Sequence, residues 1–168
     1  MTLIVGTMLA VSACNQAGTT TETATTPNEQ EVTAAGSSAS LFPRGEKRGS
    51  EWFSGDAYLF PLLSPDENNE FSLGAVTFEA GGRTHWHTHP KGQVLIVTEG
   101  EGWYQEKGKP GQVIRKGDVI NIPEDVEHWH GASAHSAMTH IALTNLKDGE
   151  NVTWLAPVSD EEFDAVHP

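Results

Sequence analysis

A single cysteine, Cys14, is present, and only 10 lysines and arginines stand against 23 aspartates and glutamates. One cysteine excludes a disulfide framework and any zinc site built from four thiolates. The formal net charge of −13 at pH 7 argues against a nucleic-acid binder, which needs a positive footprint to displace counterions from phosphates. Small-molecule partners fit better. Long hydrophobic runs are also missing: the most apolar stretch, residues 1–14, is shorter than the ~20 helical residues that cross a bilayer. No long segment repeats its apolar residues with a 3.6-residue period, and no helix-turn-helix pattern occurs, so an all-helical fold is not expected. At 168 residues the chain is large enough for one domain with a sizeable core, and too small for two catalytic domains.

Residues 1–14 are apolar and small without one charge, and they read as the apolar region of a secretory signal. Val11-Ser12-Ala13-Cys14 resembles the lipobox of bacterial lipoproteins. That resemblance implies lipidation of Cys14 as the first residue of the mature chain, and a membrane contact made only through the lipid. It places the protein in the cell envelope, on the periplasmic side of the outer membrane in a host with two membranes, because Asn15 is not the Asp associated with inner-membrane retention. Residues 15–40 are Asn, Gln, Thr, Glu, Ala, Ser and Gly with hardly a large apolar side chain, so they cannot bury a core and are expected to form a disordered polar tether. The folded domain is expected over residues 41–168.

Within it, apolar segments of strand length are punctuated by Gly, Pro, Asp and Asn, the rhythm of an all-β sandwich or barrel. The clearest are Phe71–Phe78, Gln93–Thr98, Gly102–Gln105, Gln112–Ile114, Asp118–Ile122 and His140–Thr144. Turns are expected at residues 79–82, 99–101, 107–111 and 115–117, each carrying a glycine suited to positive φ. Ser159 followed by Asp160, Glu161 and Glu162 reads as the N-cap and acidic first turn of a short C-terminal helix.

Eight histidines are more than such a composition needs. Side chains alternate along a strand, so His87 and His89 share one face about 7 Å apart, close enough for two imidazoles to converge on an ion. Gln93 opens the next strand after a Pro/Gly turn and can return a carbonyl oxygen to the same point. His128 supplies a third imidazole from a separate stretch.

These residues spell a family. Gly81, His87-x-His89, Gln93 and Gly100 at their spacing resemble the first cupin motif, with Gln where Glu is usual. Gly117, Pro123 and His128 resemble the second, with Asp125 in place of its customary Gly. More closely, Gly82-Arg83-Thr84, His87-Thr88-His89-Pro90, the run Gly92–Thr98, Gly117-Asp118-Val119, His128-Trp129-His130-Gly131 and Ala137–His140 are similar to small bacterial single-domain cupins. That group includes manganese-dependent hydroxynitrile lyases and the cupins found beside carboxymuconolactone decarboxylase-like proteins. The resemblance implies an all-β fold, a double-stranded β-helix or jelly-roll barrel, paired as a homodimer. It further implies one divalent metal ion, manganese by preference with Fe, Ni, Co or Zn compatible, held by His87, His89, Gln93 and His128. His130 and His140 are then the cavity-lining candidates for acid–base catalysis, since imidazole titrates near neutral pH.

The chemistry expected is lyase-type, on small carbonyl or cyanohydrin-like substrates. A dioxygenase and a non-catalytic ligand-binding or sensing lipoprotein are the alternatives; Gln93 in place of a carboxylate argues mildly against the dioxygenase. His85 stands where such relatives carry a small residue, and Thr144 where they carry Gln. His85 shares the strand parity of His87 and His89 yet sits at the strand start, where exposure is at least as well expected. His135 and His167 are expected at the surface, and Trp86, Trp103 and Trp129 in the core or an interface.

Overall fold

The computed structural model describes residues 40–167. Cys14, the signal-like residues 1–14 and all but the last residue of the tether lie outside the described residues. In chain order the elements are β1 (Glu46–Lys47), β2 (Phe53–Ser54), β3 (Ala57–Leu63), β4 (Phe71–Phe78), β5 (Arg83–Thr84), β6 (His87–Thr88), β7 (Gln93–Glu106), β8 (Gln112–Arg115), β9 (Val119–Ile122), β10 (His128–Ala132), β11 (Met138–Asn145), β12 (Thr153–Trp154) and α1 (Asp160–Asp164).

The alternation in FSLGAVTF and MTHIALTN directs β4 and β11 to pair antiparallel along their whole length, from Phe71 opposite Asn145 to Phe78 opposite Met138. Val76, Phe78 and Met138 thereby enter the interior with Leu95, Val97, Ile114, Ile120 and Ile122. His140 and Thr144 share the parity of Met138 and face inward too, both buried. One sheet runs β1-β3-β4-β11-β7-β9 and the other β2-β5-β10-β7-β8, with β6 lying between β10 and β12. All pairings are antiparallel. The double-stranded barrel expected from the sequence is present.

The turn expected at residues 99–101 is not a turn. The chain continues through it as one strand, β7, whose first half pairs with β11 and β9 and whose second half pairs with β10 and β8. Register against β11 slips between Thr139 and His140, and Gly100 takes φ 73°. A Cβ there would lie 2.1 Å from the Ala137 carbonyl oxygen, so only glycine fits this bulge. Glycine marks a bulge and a hairpin turn alike, and the bulge carries β7 from one sheet into the other.

The C-terminal helix begins as expected. Ser159 caps it, with its Oγ accepting from the Glu162 N–H at 3.2 Å and its own N–H donating to the Glu162 carboxylate at 3.1 Å. Five residues are too few for an independent helix, and packing holds this one: Phe163 is buried with Trp86, Trp129, Val158 and Val166 in a second apolar cluster. The Arg83 guanidinium lies over the Phe163 ring at 4.4 Å, donates to the Val158 carbonyl and pairs with Asp160. Trp86 and Trp129 are core residues, as expected, and Trp103 is packed against them.

Candidate metal centre

His87 and His128 face each other directly across the β6–β10 pairing, so their side chains project to the same face and their ring centroids lie 4.2 Å apart. His89 follows β6 by parity, with centroids 5.0 Å from His87 and 5.4 Å from His128. Its carbonyl oxygen accepts from Gly92 N–H at 3.2 Å and Asp125 N–H at 2.9 Å. That closes the turn which brings Gln93, the first residue of β7, back toward the imidazoles. Gln93 is buried, and its Nε2 donates to the Thr144 hydroxyl at 2.9 Å.

Each of these imidazoles spends Nδ1 on a backbone carbonyl: His87 on His85, 2.9 Å away, His128 on Val126, 2.8 Å away, and His89 on Asn151. This fixes ring orientation and leaves Nε2 as the uncommitted nitrogen. The Nε2 atoms of His89 and His128 and the Oε1 of Gln93 are buried without a hydrogen-bond partner. Buried acceptors are otherwise almost always satisfied, and an ion is what such a convergent set of lone pairs accommodates. Burial, followed by the neighbouring imidazoles, holds His87 well below its ordinary value; burial also lowers His89 and takes His128 down to about 4. All three are neutral at pH 7 with lone pairs available, as a divalent cation requires.

His130 projects inward beside this group, 5.4 Å from His87 and 5.9 Å from His128 between centroids. His140 comes from β11 across the barrel, and its Nε2 lies 3.2 Å from His130 Nδ1. Both rings are fully enclosed with Phe78 packed against them. Burial lowers His140 to about 4 and His130 well below its ordinary value, the His140 charge adding to the second.

Ring nitrogens of His87, His128 and His130 lie within 4.8 Å of one another. That trio overlaps the expected set at His87 and His128 and differs by offering His130 in place of His89. Centroid distances favour His89, which is nearer than His130 to both shared histidines. His89 Nε2 is moreover buried without a hydrogen-bond partner. The geometry therefore gathers the residues expected to bind metal or act in catalysis, His87, His89, Gln93, His128, His130 and His140, at one place. They line or adjoin a cavity of about 310 Å³ whose other wall is apolar, built from Phe53, Leu59, Pro61, Val76, Ala142 and Trp154.

The remaining histidines divide. His135 is exposed, as expected. His85 is buried at 7 % exposure, which decides between the two placements that strand parity and its position at the strand start had left open. Its backbone carries its role: the N–H donates to the Trp52 carbonyl and the carbonyl orients His87. His167 is half-buried rather than superficial, wedged between Trp103 and Phe163 with Nδ1 2.7 Å from the Phe163 carbonyl.

Two contributors were not visible in the motifs, the Asn151 carbonyl and Trp154, whose ring lies 4.8 Å from His87; Thr84, whose hydroxyl accepts from the His130 N–H at 3.1 Å, lay in the run Gly82-Arg83-Thr84 with no role expected of it. The departure at Asp125 has a clear physical content. It sits at φ 58°, in the left-handed region that glycine enters freely and Asp tolerates better than most residues. Asp125→Gly should keep full stability, whereas Asp125→Ala should cost about 1 kcal/mol, read as a shift of the denaturant midpoint; equal midpoints would contradict this account.

A β-barrel of this topology with a convergent histidine centre in its interior defines a cupin, and the chain belongs to that family: residues 74–143 match the family described as the Cupin domain. It is 41% identical over 133 residues to a protein of Granulicella tundricola named (R)-mandelonitrile lyase, covering 79% of this chain and 98% of that one. Among solved structures, a cupin-like protein from Thermotoga maritima is 42% identical with a TM-score of 0.72, covering 77% of this chain and 98% of the other. A cupin 2 conserved barrel domain protein from Rhodopseudomonas palustris, 17% identical with a TM-score of 0.55 over 70% of this chain and 78% of its own, shares the fold.

Proposed function

We propose that this chain is a metal-dependent lyase that cleaves and forms cyanohydrins of small carbonyl compounds. The observation that carries this reading is the set of buried, unpartnered lone pairs converging beside a hydrogen-bonded histidine pair, at the polar end of an apolar cavity. His87, His89, Gln93 and His128 would hold one divalent ion, manganese by preference. Three neutral imidazoles and a neutral amide cancel none of the ion's charge, so such an ion supplies strong Lewis acidity toward an oxygen-bearing ligand.

The chain's own part is to bind the substrate body and to move a proton. The apolar wall takes the organic group and excludes water. His130 with a proton on Nδ1 donates to His140 Nε2 and presents a bare Nε2, the form of a general base. That atom takes the hydroxyl proton of the cyanohydrin as the carbonyl forms, the carbon–carbon bond to cyanide breaks and its electron pair leaves with cyanide. The proton then passes from His130 to cyanide, giving hydrogen cyanide and the aldehyde or ketone. His140 steadies the cation formed on His130 in between. The name of the Granulicella relative makes mandelonitrile the first substrate to test. Purified protein with about one equivalent of manganese should release benzaldehyde from mandelonitrile without consuming oxygen; oxygen uptake with these substrates, or no turnover in the loaded protein, would sink the proposal.

The same reading takes Cys14 as a lipid-anchored residue at the cell envelope, on the sequence of residues 11–14. It takes the working unit as a homodimer, by likeness to the family.

A further inference from the structure

His87 and His128 each rest on a carbonyl two residues earlier in their own stretch of chain, whereas His89 rests on Asn151, 62 residues further on. Asn151 belongs to residues 146–158, which follow β11 and lie beyond the residues that match the family. This segment is laid along the histidine-bearing strand. β12 pairs with β6, Trp154 standing opposite His87, while Leu155 N–H donates to the Trp86 carbonyl at 2.8 Å and Trp86 N–H to the Ala156 carbonyl at 3.0 Å. The Trp154 ring stacks on Trp52 at 5.7 Å. β6 is only two residues long, so β10 on one side and this segment on the other are what hold it straight.

Resting on the reading of the site as a metal centre, we infer that residues 146–158 are a clasp that positions His89, so that metal binding and docking of this segment strengthen each other. An imidazole whose Nδ1 proton lacks its carbonyl can turn about χ2 and present the wrong edge, and outer partners of this kind are worth about 10- to 100-fold in metal affinity. Coupling of two binding equilibria is reciprocal: whatever factor the docked segment contributes to metal affinity, the metal returns to docking of the segment. His87 and His128 take their Nδ1 carbonyls from their own stretches of chain. His89 is the ring whose Nδ1 acceptor comes from the clasp.

The test uses the full chain with Mn²⁺ as the only ligand. Two glycines inserted between Glu150 and Asn151, beyond the Lys147–Glu150 bridge that closes the exposed turn, are meant to shift the Asn151 carbonyl out of register with His89 while every side chain of the site is kept. Manganese affinity should fall about tenfold, while the thermal midpoint of the metal-free protein stays where it was. In the parent chain, added Mn²⁺ should slow amide exchange in residues 151–158 more than in Phe71–Phe78, which serves as the internal reference. Affinity within twofold of the parent overturns the inference, and so does a loss fully matched by lower metal-free stability. A parent chain that binds no Mn²⁺ overturns the reading of the site itself, and the clasp with it; parent binding with an unaffected insertion variant overturns the clasp alone.

Discussion

Alanine at His130 should lower lyase turnover by about 100- to 10,000-fold while one equivalent of metal stays bound, whereas alanine at His89 or His128 should empty the site. The contrast follows from what each ring nitrogen already does. His89 and His128 have Nδ1 on backbone carbonyls and Nε2 buried with no partner, so removing either takes away a lone pair for which the fold provides no substitute. His130 has Nδ1 on His140 at 3.2 Å and stands farther from His87 and His128 than those rings stand from each other. His140→Ala should reduce the rate by less, because it only removes support from the cation on His130. Metal content by elemental mass spectrometry, read beside benzaldehyde release, separates the two effects. A metal-free His130→Ala protein would assign His130 to the ligand set in company with His87 and His128, and unchanged rates in both the His130 and His140 variants would remove the base from the mechanism.

The second large effect is acid sensitivity of the metal-free protein. His128 and His140 fall from an ordinary value of 6.5 to about 4 in the folded chain, burial being the main cause in each. An unfolded chain therefore takes up their protons as pH falls through 6.5, while the folded chain resists until about 4. Stability is fully present above pH 6.5 and declines between 6.5 and 4, by about 3 kcal/mol for each of the two groups. Against a total of roughly 5–15 kcal/mol for a domain, that is a large share. The lowered carboxylates of Glu106 and Glu162 lose their contribution only below their ordinary value of 4.5, so the histidine window comes first. Urea midpoints of metal-free protein should drop steeply from pH 7.5 to pH 5 and those of manganese-loaded protein much less, because protonating His128 then also requires expelling the ion. A flat metal-free profile across that range would mean that the histidines are not buried as neutral rings.

Most of the site's geometry was legible because it is local. His87 and His89 share a face by strand parity, and Gln93 returns through a turn that Gly92, at φ 73°, makes possible. His128 needed the second motif, since pairing of β6 with β10 cannot be read from spacing along the chain. The Asn151 carbonyl was invisible for a different reason: a backbone acceptor carries no residue type, so any side chain at position 151 could have supplied it. β3 was obscured by Pro61, which lowers a strand's claim and is accommodated here by a register shift between Pro61 and Leu63. At residues 99–101 the glycine signal was sound and its meaning ambiguous, because nothing local says whether the chain reverses or merely changes sheets.

β11 pairs with β4 although β5 to β10 separate the two along the chain, and β7 must find partners in both sheets. Such non-local pairings return no stabilisation until long loops have been closed, which makes them slow. The histidine centre inherits that timing. His87 meets His128 when β6 reaches β10, and His89 receives its carbonyl when residues 146–158 arrive. Assembly of the centre thus depends on long-range pairings rather than on any local element. An ion held by these rings would favour the closed barrel over every state in which β6, β10 and residues 146–158 are apart.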